Sequence, residues 1–413
     1  MKRYSILLFC CLLASSFLTE AFAQRFVRRS LERASVQAAL MDAEIADTTL
    51  YPTSLSPQGE LELKSIRSWV SGFFPGNLWY LYAATQDPMW LGKARRRTAA
   101  LAGLADYGRT HDLGFMVGCP VGLGLKLTQD RAYRDLIVRT SETLITRFDP
   151  NVGLIRSWTN KNGKPNPYLV IIDNMMNLEL LFYASRTTGD ASFSRIAVSH
   201  AEKTMRNQVR KDNSCYHVVY YDKATGQPIK GETAQGYADN STWSRGQAWG
   251  IYGFTMCYRE TKDKRFLTTA CRMADFYLSH PNLPADKVAY WDFDAYRPEY
   301  TPGQRSNASK VVTNYRDASA AACTASALLE LSTYVKGEKK RRYLAAARTI
   351  LHTLGSPAYR AKEGGNGGFI LKHSVGSIPH NSEIDVPLTY ADYYFLEALH
   401  RYDKLLAGRQ LFP

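Results

Sequence analysis

The chain has 413 residues, 45% of them hydrophobic, and a formal net charge of +14 at pH 7. That length is large for one domain, yet no Pro/Ser linker or charge block divides it, so a string of small modules is excluded. The surplus of Lys and Arg favours an anionic partner. The strongest basic runs (93–97 and 336–342) fall on or beside outward helix faces, which argues for solvated surfaces and against nucleic acid.

From the N-terminus, residues 1–23 read as a secretory signal peptide. Lys2 and Arg3 are the charged start, residues 6–17 the apolar core, and Ala21-Phe22-Ala23 a small-x-small cleavage site. The apolar run is too short to span a bilayer and no later stretch qualifies, so stable membrane insertion is not expected. Cys10 and Cys11 raise a lipoprotein anchor, but Phe9 stands where a lipobox wants a small residue. The expectation is a periplasmic or secreted protein with one domain over residues 24–413. Its cysteines (Cys119, Cys215, Cys257, Cys271, Cys323) are odd in number and scattered, which suggests buried thiols. No Cys/His spacing suits a metal and no glycine loop suits a nucleotide, so no metal and no cofactor is expected.

A two-part phrase then recurs. An apolar, aromatic-rich run ends in Gln-Asp, Gly-Asp, Lys-Asp or Gly-Glu, and a basic amphipathic run follows. It occupies 81–94 (LYAATQDPMWLGKA), 122–139, 181–201, 254–270 and, more loosely, 328–347. Repeated helix–turn–helix units imply an all-helical array, because one hairpin cannot bury its own apolar face. Periodicity predicts apolar helices near 72–86, 113–127, 174–188, 243–260, 317–335 and 386–404. Amphipathic ones are predicted near 29–46, 88–104, 131–147, 191–208, 264–280 and 339–354. Six of each in alternation fit an all-α (α/α)6 double-layered toroid, closed by the first amphipathic helix beside the last apolar one. Tight turns crowd one end, and long loops rich in Trp, Tyr, Asn and Asp crowd the other. Any site belongs at the long-loop rim.

Two aspartates stand there at loop-to-inner-helix junctions, Asp112 in HDLGF and Asp173 in IIDNMMN. Either alone reads as a helix N-cap. Aromatics at the same rim change the weighting: Trp69 and Phe73 at the first inner helix, Trp158 in a long loop, and Trp243 and Trp249 flanking Arg245 in WSRGQAW. Carboxylates, a guanidinium fork and indole faces on one rim compose a carbohydrate site.

At these residues the chain resembles the unsaturated glucuronyl hydrolases, glycoside hydrolase family 88, from about Trp69 to Leu399. HDLGF, the Asp173 motif, WSRGQAW and the closing SEIDVPLTYADYYFLEAL carry the resemblance together. The related rhamnogalacturonyl hydrolases tend to carry RGNGW where this chain has RGQAW. The resemblance implies Asp173 as catalytic acid/base and Asp112 as the second essential carboxylate. It implies His217, Gln235, Arg245 and Trp249 as substrate contacts, with Trp69, Phe73, His111 and Trp158 lining the pocket. Ser374 and Ser377 match a Ser-x-x-Ser-x-Lys sulfate element, whose last position here is Pro379. The implied substrate is an anionic oligosaccharide ending in a 4,5-unsaturated uronic acid. On the residues alone, two rivals stay open: a polysaccharide lyase using a Tyr base, and a periplasmic glycan-binding protein. Oligomeric state is not readable.

Overall fold

A computed structural model of the chain describes residues 2–159, 168–303 and 306–412, and for residues 2–20 the backbone alone. The charged start and apolar core of the expected signal peptide thus lie outside the described side chains. Among the described residues there are twelve α-helices. They are α1 (Lys2–Glu44), α2 (Phe73–Thr85), α3 (Pro88–Ala99), α4 (Cys119–Thr128), α5 (Arg131–Ile145) and α6 (Leu178–Thr188). The second half comprises α7 (Ala191–Asn207), α8 (Ser244–Thr261), α9 (Lys264–Ser279), α10 (Ala318–Leu331), α11 (Gly337–Leu354) and α12 (Thr389–Leu406).

The even-numbered helices form a closed inner ring: α2 packs on α4, α6 on α8, α8 on α10, α10 on α12 and α12 on α2. A π-helical segment, Gly114–Gly118, leads into α4 and links it to α6. Each odd-numbered helix packs outside against two inner ones, and α1 fills the seam between α12 and α2. This is the (α/α)6 toroid that the repeat predicts.

Composition explains the layering. Every residue of α10 is buried, as its run of Ala, Cys, Thr and Leu requires of a helix surrounded on all sides. In α9 only Phe266, Thr269, Ala270, Met273, Ala274, Tyr277 and their neighbours on that face are buried, the stripe of an outer helix. The recurring dipeptide is a pair of caps. Gln86, Gln129, Gly189 and Lys262 end inner helices in the left-handed conformation. The aspartates that follow them, Asp87, Asp130, Asp190 and Asp263, each accept a backbone N–H two residues on and so start the outer helix. The fifth unit is loose for a visible reason: its turn is longer, and Lys336 at the cap position makes no side-chain bond.

Three local expectations change. Helix α1 does not begin near residue 29 but runs unbroken from Lys2, and Ala23 and Val27 are already buried in the core. The stretch expected as helix from 174 opens instead as a 3-10 turn, Ile172–Asn177, and the one from 113 as the π segment. The basic run 93–97 is not a solvated face. Lys93, Arg96 and Arg97 all bond Asp42 of α1, at 2.6, 2.8 and 2.8 Å, and Arg97 is buried. They pin the closing helix of the ring to its neighbour. The five cysteines are unpaired, and all but Cys119 are buried.

The long loops carry antiparallel strands that periodicity did not show. These are β1 (Leu50–Leu55) with β2 (Leu61–Ser65), β3 (Phe148–Asp149) with β4 (Leu154–Ile155), and the sheet β5 (Tyr168–Ile171), β6 (Val218–Tyr221), β7 (Pro228–Glu232). The last pair is β8 (Ser374–Ser377) with β9 (Ser382–Val386). No helix among the described residues is long and apolar enough to cross a membrane.

Candidate active site

The β5–β6 ladder sets the centre of the site. Its register pairs Ile171 with Val218, and one step further the Ile172 N–H donates to the His217 carbonyl at 3.0 Å. Asp173 and His217 therefore emerge side by side where the ladder ends, with His217 Nε2 3.7 Å from Asp173 Oδ2. The turn after β7 folds back so that the N–H groups of Ala234 and Gln235 both donate to His217 Nδ1, at 3.1 and 3.2 Å. Two donors on Nδ1 leave the ring proton on Nε2, facing Asp173. Burial pushes the His217 pKa down to about 3, with the nearby Arg245 cation pushing the same way. The ring is a neutral donor at any working pH.

Asp173 is buried in its 3-10 turn, so it is not the helix N-cap of the bland reading. Asn174 and Asn177 hold that turn. Asn174 Nδ2 donates to the Ile155 carbonyl at 2.8 Å, and Asn177 Oδ1 accepts from the Gly114 N–H at 2.8 Å. The second bond ties the Asp112 loop to the Asp173 turn, and it needs a glycine. A Cβ at Gly114 would stand 2.5 Å from Asn177 Cα and 2.6 Å from its Oδ1. Burial raises the Asp173 pKa to about 7; Arg245 opposes this and Asp112 adds to it. The indole of Trp249 also lies beside the carboxyl, though its Nε1 makes no hydrogen bond of normal geometry. Dehydration, with the neighbouring carboxylate acting the same way, thus outweighs the guanidinium.

Asp112 is partly open. Thr110 Oγ1 donates to its Oδ2 at 2.8 Å, and His111 Nε2 lies 3.2 Å from its Oδ1. His111 is buried and makes a 3.0 Å bond from Nδ1 to the Ser157 carbonyl, so Nδ1 carries the proton there. Burial lowers its pKa. The two Nδ1 atoms thus play opposite parts, that of His111 donating to a carbonyl and that of His217 accepting from two N–H groups.

Arg245 does not present a free fork to a carboxylate, as its place in WSRGQAW suggested. Its Nη1 donates to Asp317 Oδ2 at 2.9 Å and to the Val375 carbonyl, and its Nη2 to the Gly376 carbonyl at 2.7 Å. The guanidinium lies over the Trp243 ring at 4.6 Å and the Tyr390 ring at 5.2 Å. Its Nε–H is left without a partner, and its charge is felt at Asp173 and His217.

Of the remaining expected residues, Phe73 is buried and Trp69 half-buried in one cluster with Phe115 and Tyr390. Trp158 is 38% exposed and stands edge-on to His217 at 6.0 Å. Gln235 Nε2 reaches the Gly376 carbonyl at 3.1 Å. Ser374 is buried with a free Oγ, while Ser377 Oγ is 2.7 Å from His380 Nδ1. Sequence reasoning missed Tyr390, whose buried hydroxyl has no partner, and Glu383, half-buried, whose carboxyl feels the Arg245 charge. Both sit in the closing motif, but nothing in the spacing separates them from its other polar residues.

Asp173 Oδ2, His217 Nε2, Trp249 Nε1, Arg245 Nε, Tyr390 Oη and Ser374 Oγ are thus all buried without partners. Folded proteins rarely leave such atoms unpaired, and His217 Nε2 and Trp249 Nε1 beside the Asp173 carboxyl mark where a polar ligand completes the bonding. Among the described residues no group of His, Cys, Asp and Glu could hold a metal ion.

An inner-ring carboxyl poised near neutrality, under aromatic rings and unpaired donors at the long-loop rim, defines an (α/α)6 glycosidase-type site. Comparison with known proteins agrees. The chain is 47% identical over 342 residues to the unsaturated glucuronyl hydrolase of Formosa agariphila, covering 82% of this chain and 81% of that protein. A solved unsaturated glucuronyl hydrolase specific for heparin is 43% identical, with a TM-score of 0.85 over 92% of this chain and 98% of that one. A variant of the Streptococcus agalactiae unsaturated glucuronyl hydrolase, solved with dGlcA-GalNAc6S, is 29% identical. Its TM-score is 0.75, over 92% of this chain and 91% of that one. No protein-family model matches the chain. On the identity and coverage of these relatives, the chain belongs to the unsaturated glucuronyl hydrolases.

Proposed function

We propose that the protein removes the terminal 4,5-unsaturated uronic acid from lyase-generated oligosaccharides by hydrating its C4=C5 bond. The observation that carries this is the buried Asp173 carboxyl, raised to about 7 and lying beside the unpaired His217 Nε2 and Trp249 Nε1. The C4=C5 bond is an enol ether. Asp173 gives its proton to C4, and positive charge develops at C5 and the ring oxygen. The Asp173 carboxylate then takes a proton from water as the water oxygen bonds to C5. The resulting hemiketal opens and releases the neighbouring sugar. One residue thus serves as acid and then base, and the separations that distinguish retaining from inverting glycosidases do not apply. Asp112 supports Asp173 electrostatically. The Nε2–H of His217 and the Nε1–H of Trp249 bind the sugar as neutral donors, with Arg245 as fixed positive charge behind them.

A cleaved segment 1–23 exports one domain, residues 24–413, to the periplasm or beyond, where lyases release such oligosaccharides. This hydration chemistry requires no cofactor. Pro379, in place of the lysine of the sulfate element, favours substrates whose recognition does not depend on that contact.

A panel of lyase-generated unsaturated disaccharides, followed at the conjugated-alkene absorbance, tests the assignment. The hydrolase lowers the absorbance. A rise on intact polysaccharide would make the protein a lyase, and binding with no change would make it a glycan-binding protein.

A further inference from the structure

We propose that Asp317 is a positioning residue for the catalytic acid, acting through Arg245. Its carboxylate, anchored at the start of α10, fixes the guanidinium whose charge acts on Asp173 and offsets part of that charge. The proposal rests on the assignment of Asp173 above.

Asp317 is fully buried and its two oxygens are divided between two tasks. Oδ1 caps α10, accepting from the Ser319 N–H at 2.9 Å and the Ser319 hydroxyl at 2.6 Å. Oδ2 is left for Arg245 Nη1 at 2.9 Å. Capping alone would not require a buried ion pair reaching from α10 to α8. The carbonyls of Val375 and Gly376 hold the other side of the guanidinium, and Trp243 and Tyr390 hold its faces. Arg245 therefore cannot swing toward or away from Asp173, and its influence there is set by geometry rather than by side-chain motion.

The charges around this group come from every wall of the site. Arg245 interacts with Asp317 of α10, Tyr390 of α12, Glu383 of β9 and Asp173, and it also lowers the His217 pKa. Asp317 is felt by Tyr277 of α9 and Cys323 of α10. Asp173 faces Arg245, Asp112, His217 and Cys215. Among these Arg245 is the principal force holding the Asp173 pKa down. A carboxylate paired with it on the far side weakens that pull and leaves Asp173 protonated at working pH. Without Asp317 the full cation would act on Asp173 and favour its anion, the wrong state for donating to C4.

The test is the pH profile of kcat for alkene loss in Asp317→Asn. Asparagine caps a helix about as well as aspartate, so the cap is kept while Arg245 loses its carboxylate. The basic limb is expected to move down by about one pH unit, so that activity is lost at pH 8 far more than at pH 5.5. Asp317→Glu, which keeps the charge, should leave the limb in place. An unmoved limb in Asp317→Asn, whatever its Tm, would show that Asp317 serves the packing of Arg245 and α10 only and overturn the proposal. If Asp317→Asn does not fold, Arg245→Gln is compared with the double variant Asp317→Asn/Arg245→Gln, and the limb should lie higher in the single variant, where the Asp317 charge still acts on Asp173. Equal limbs in the two would equally overturn the proposal. Wild type that consumes no alkene would instead sink the functional assignment, a result separable from either.

Discussion

Asp173 is acidic chemistry made by hiding a carboxyl from water. With its pKa raised to about 7, kcat should hold below that pH and fall above it, as the proton bound for C4 is lost. A pH–rate profile at saturating substrate reads this directly. No acidic limb should come from His217, because burial keeps it neutral down to about pH 3. The same shift has a stability sign. A group whose folded pKa is raised stabilises the fold below its unfolded value, near 3.8, and that contribution is lost as pH rises through about 7. Replacing Asp173 with Asn should therefore raise stability by roughly 2–3 kcal/mol at pH 8 and hardly at all at pH 4, as thermal melts at the two pH values will show. The sequence made Asp112 and Asp173 visible because each stands at a loop-to-helix junction among aromatics. It could not show His217, whose place depends on a strand register linking residues more than forty apart. It also suggested a free Arg245 fork, because a sequence does not reveal that Asp317 and two carbonyls already occupy it.

The elements meet at contacts small enough to test singly. Gly114 admits Asn177 between the two acid-bearing turns, so Gly114→Ala must push them apart. Overpacking of this kind costs about 1–3 kcal/mol, and kcat should drop by more than the lost stability explains, because the geometry of Asp112 and Asp173 changes together. Steady-state kinetics beside a denaturant melt separate the two effects. On the far side of the ring, Asp42→Asn would leave the buried Arg97 without its carboxylate, at a cost of about 3–5 kcal/mol. Lys93 and Arg97 hold the Asp42 pKa down against the effect of burial. Its stabilisation is thus present above the unfolded pKa near 3.8 and lost as pH falls through the lower folded value. The wild-type melting temperature should accordingly fall in acid more steeply than that of Asp42→Asn. Caps such as Gln86-Asp87 were readable because each obeys local rules. Interhelical ion pairs like Asp42–Arg97 were not, since a basic run looks the same whether it meets water or a buried carboxylate.

On the scale of the molecule, a phrase repeated five times and a helical periodicity that gives six alternating pairs led to the closed ring, and closure brings the long loops to one rim. The hairpins that furnish that rim stayed hidden because short strands within long loops have no helical period to betray them. The surplus positive charge should aid capture of an anionic oligosaccharide at a distance. Raising ionic strength should therefore increase KM several-fold with little change in kcat, as screening within about a Debye length removes the long-range attraction. All of this serves one buried proton. The measurement that bears on it most directly is alkene loss by Asp173→Asn on an unsaturated disaccharide, with binding of the same disaccharide followed in parallel. Turnover should fall by about 10²–10⁴-fold while binding remains measurable. Near-normal turnover in that variant would contradict the account.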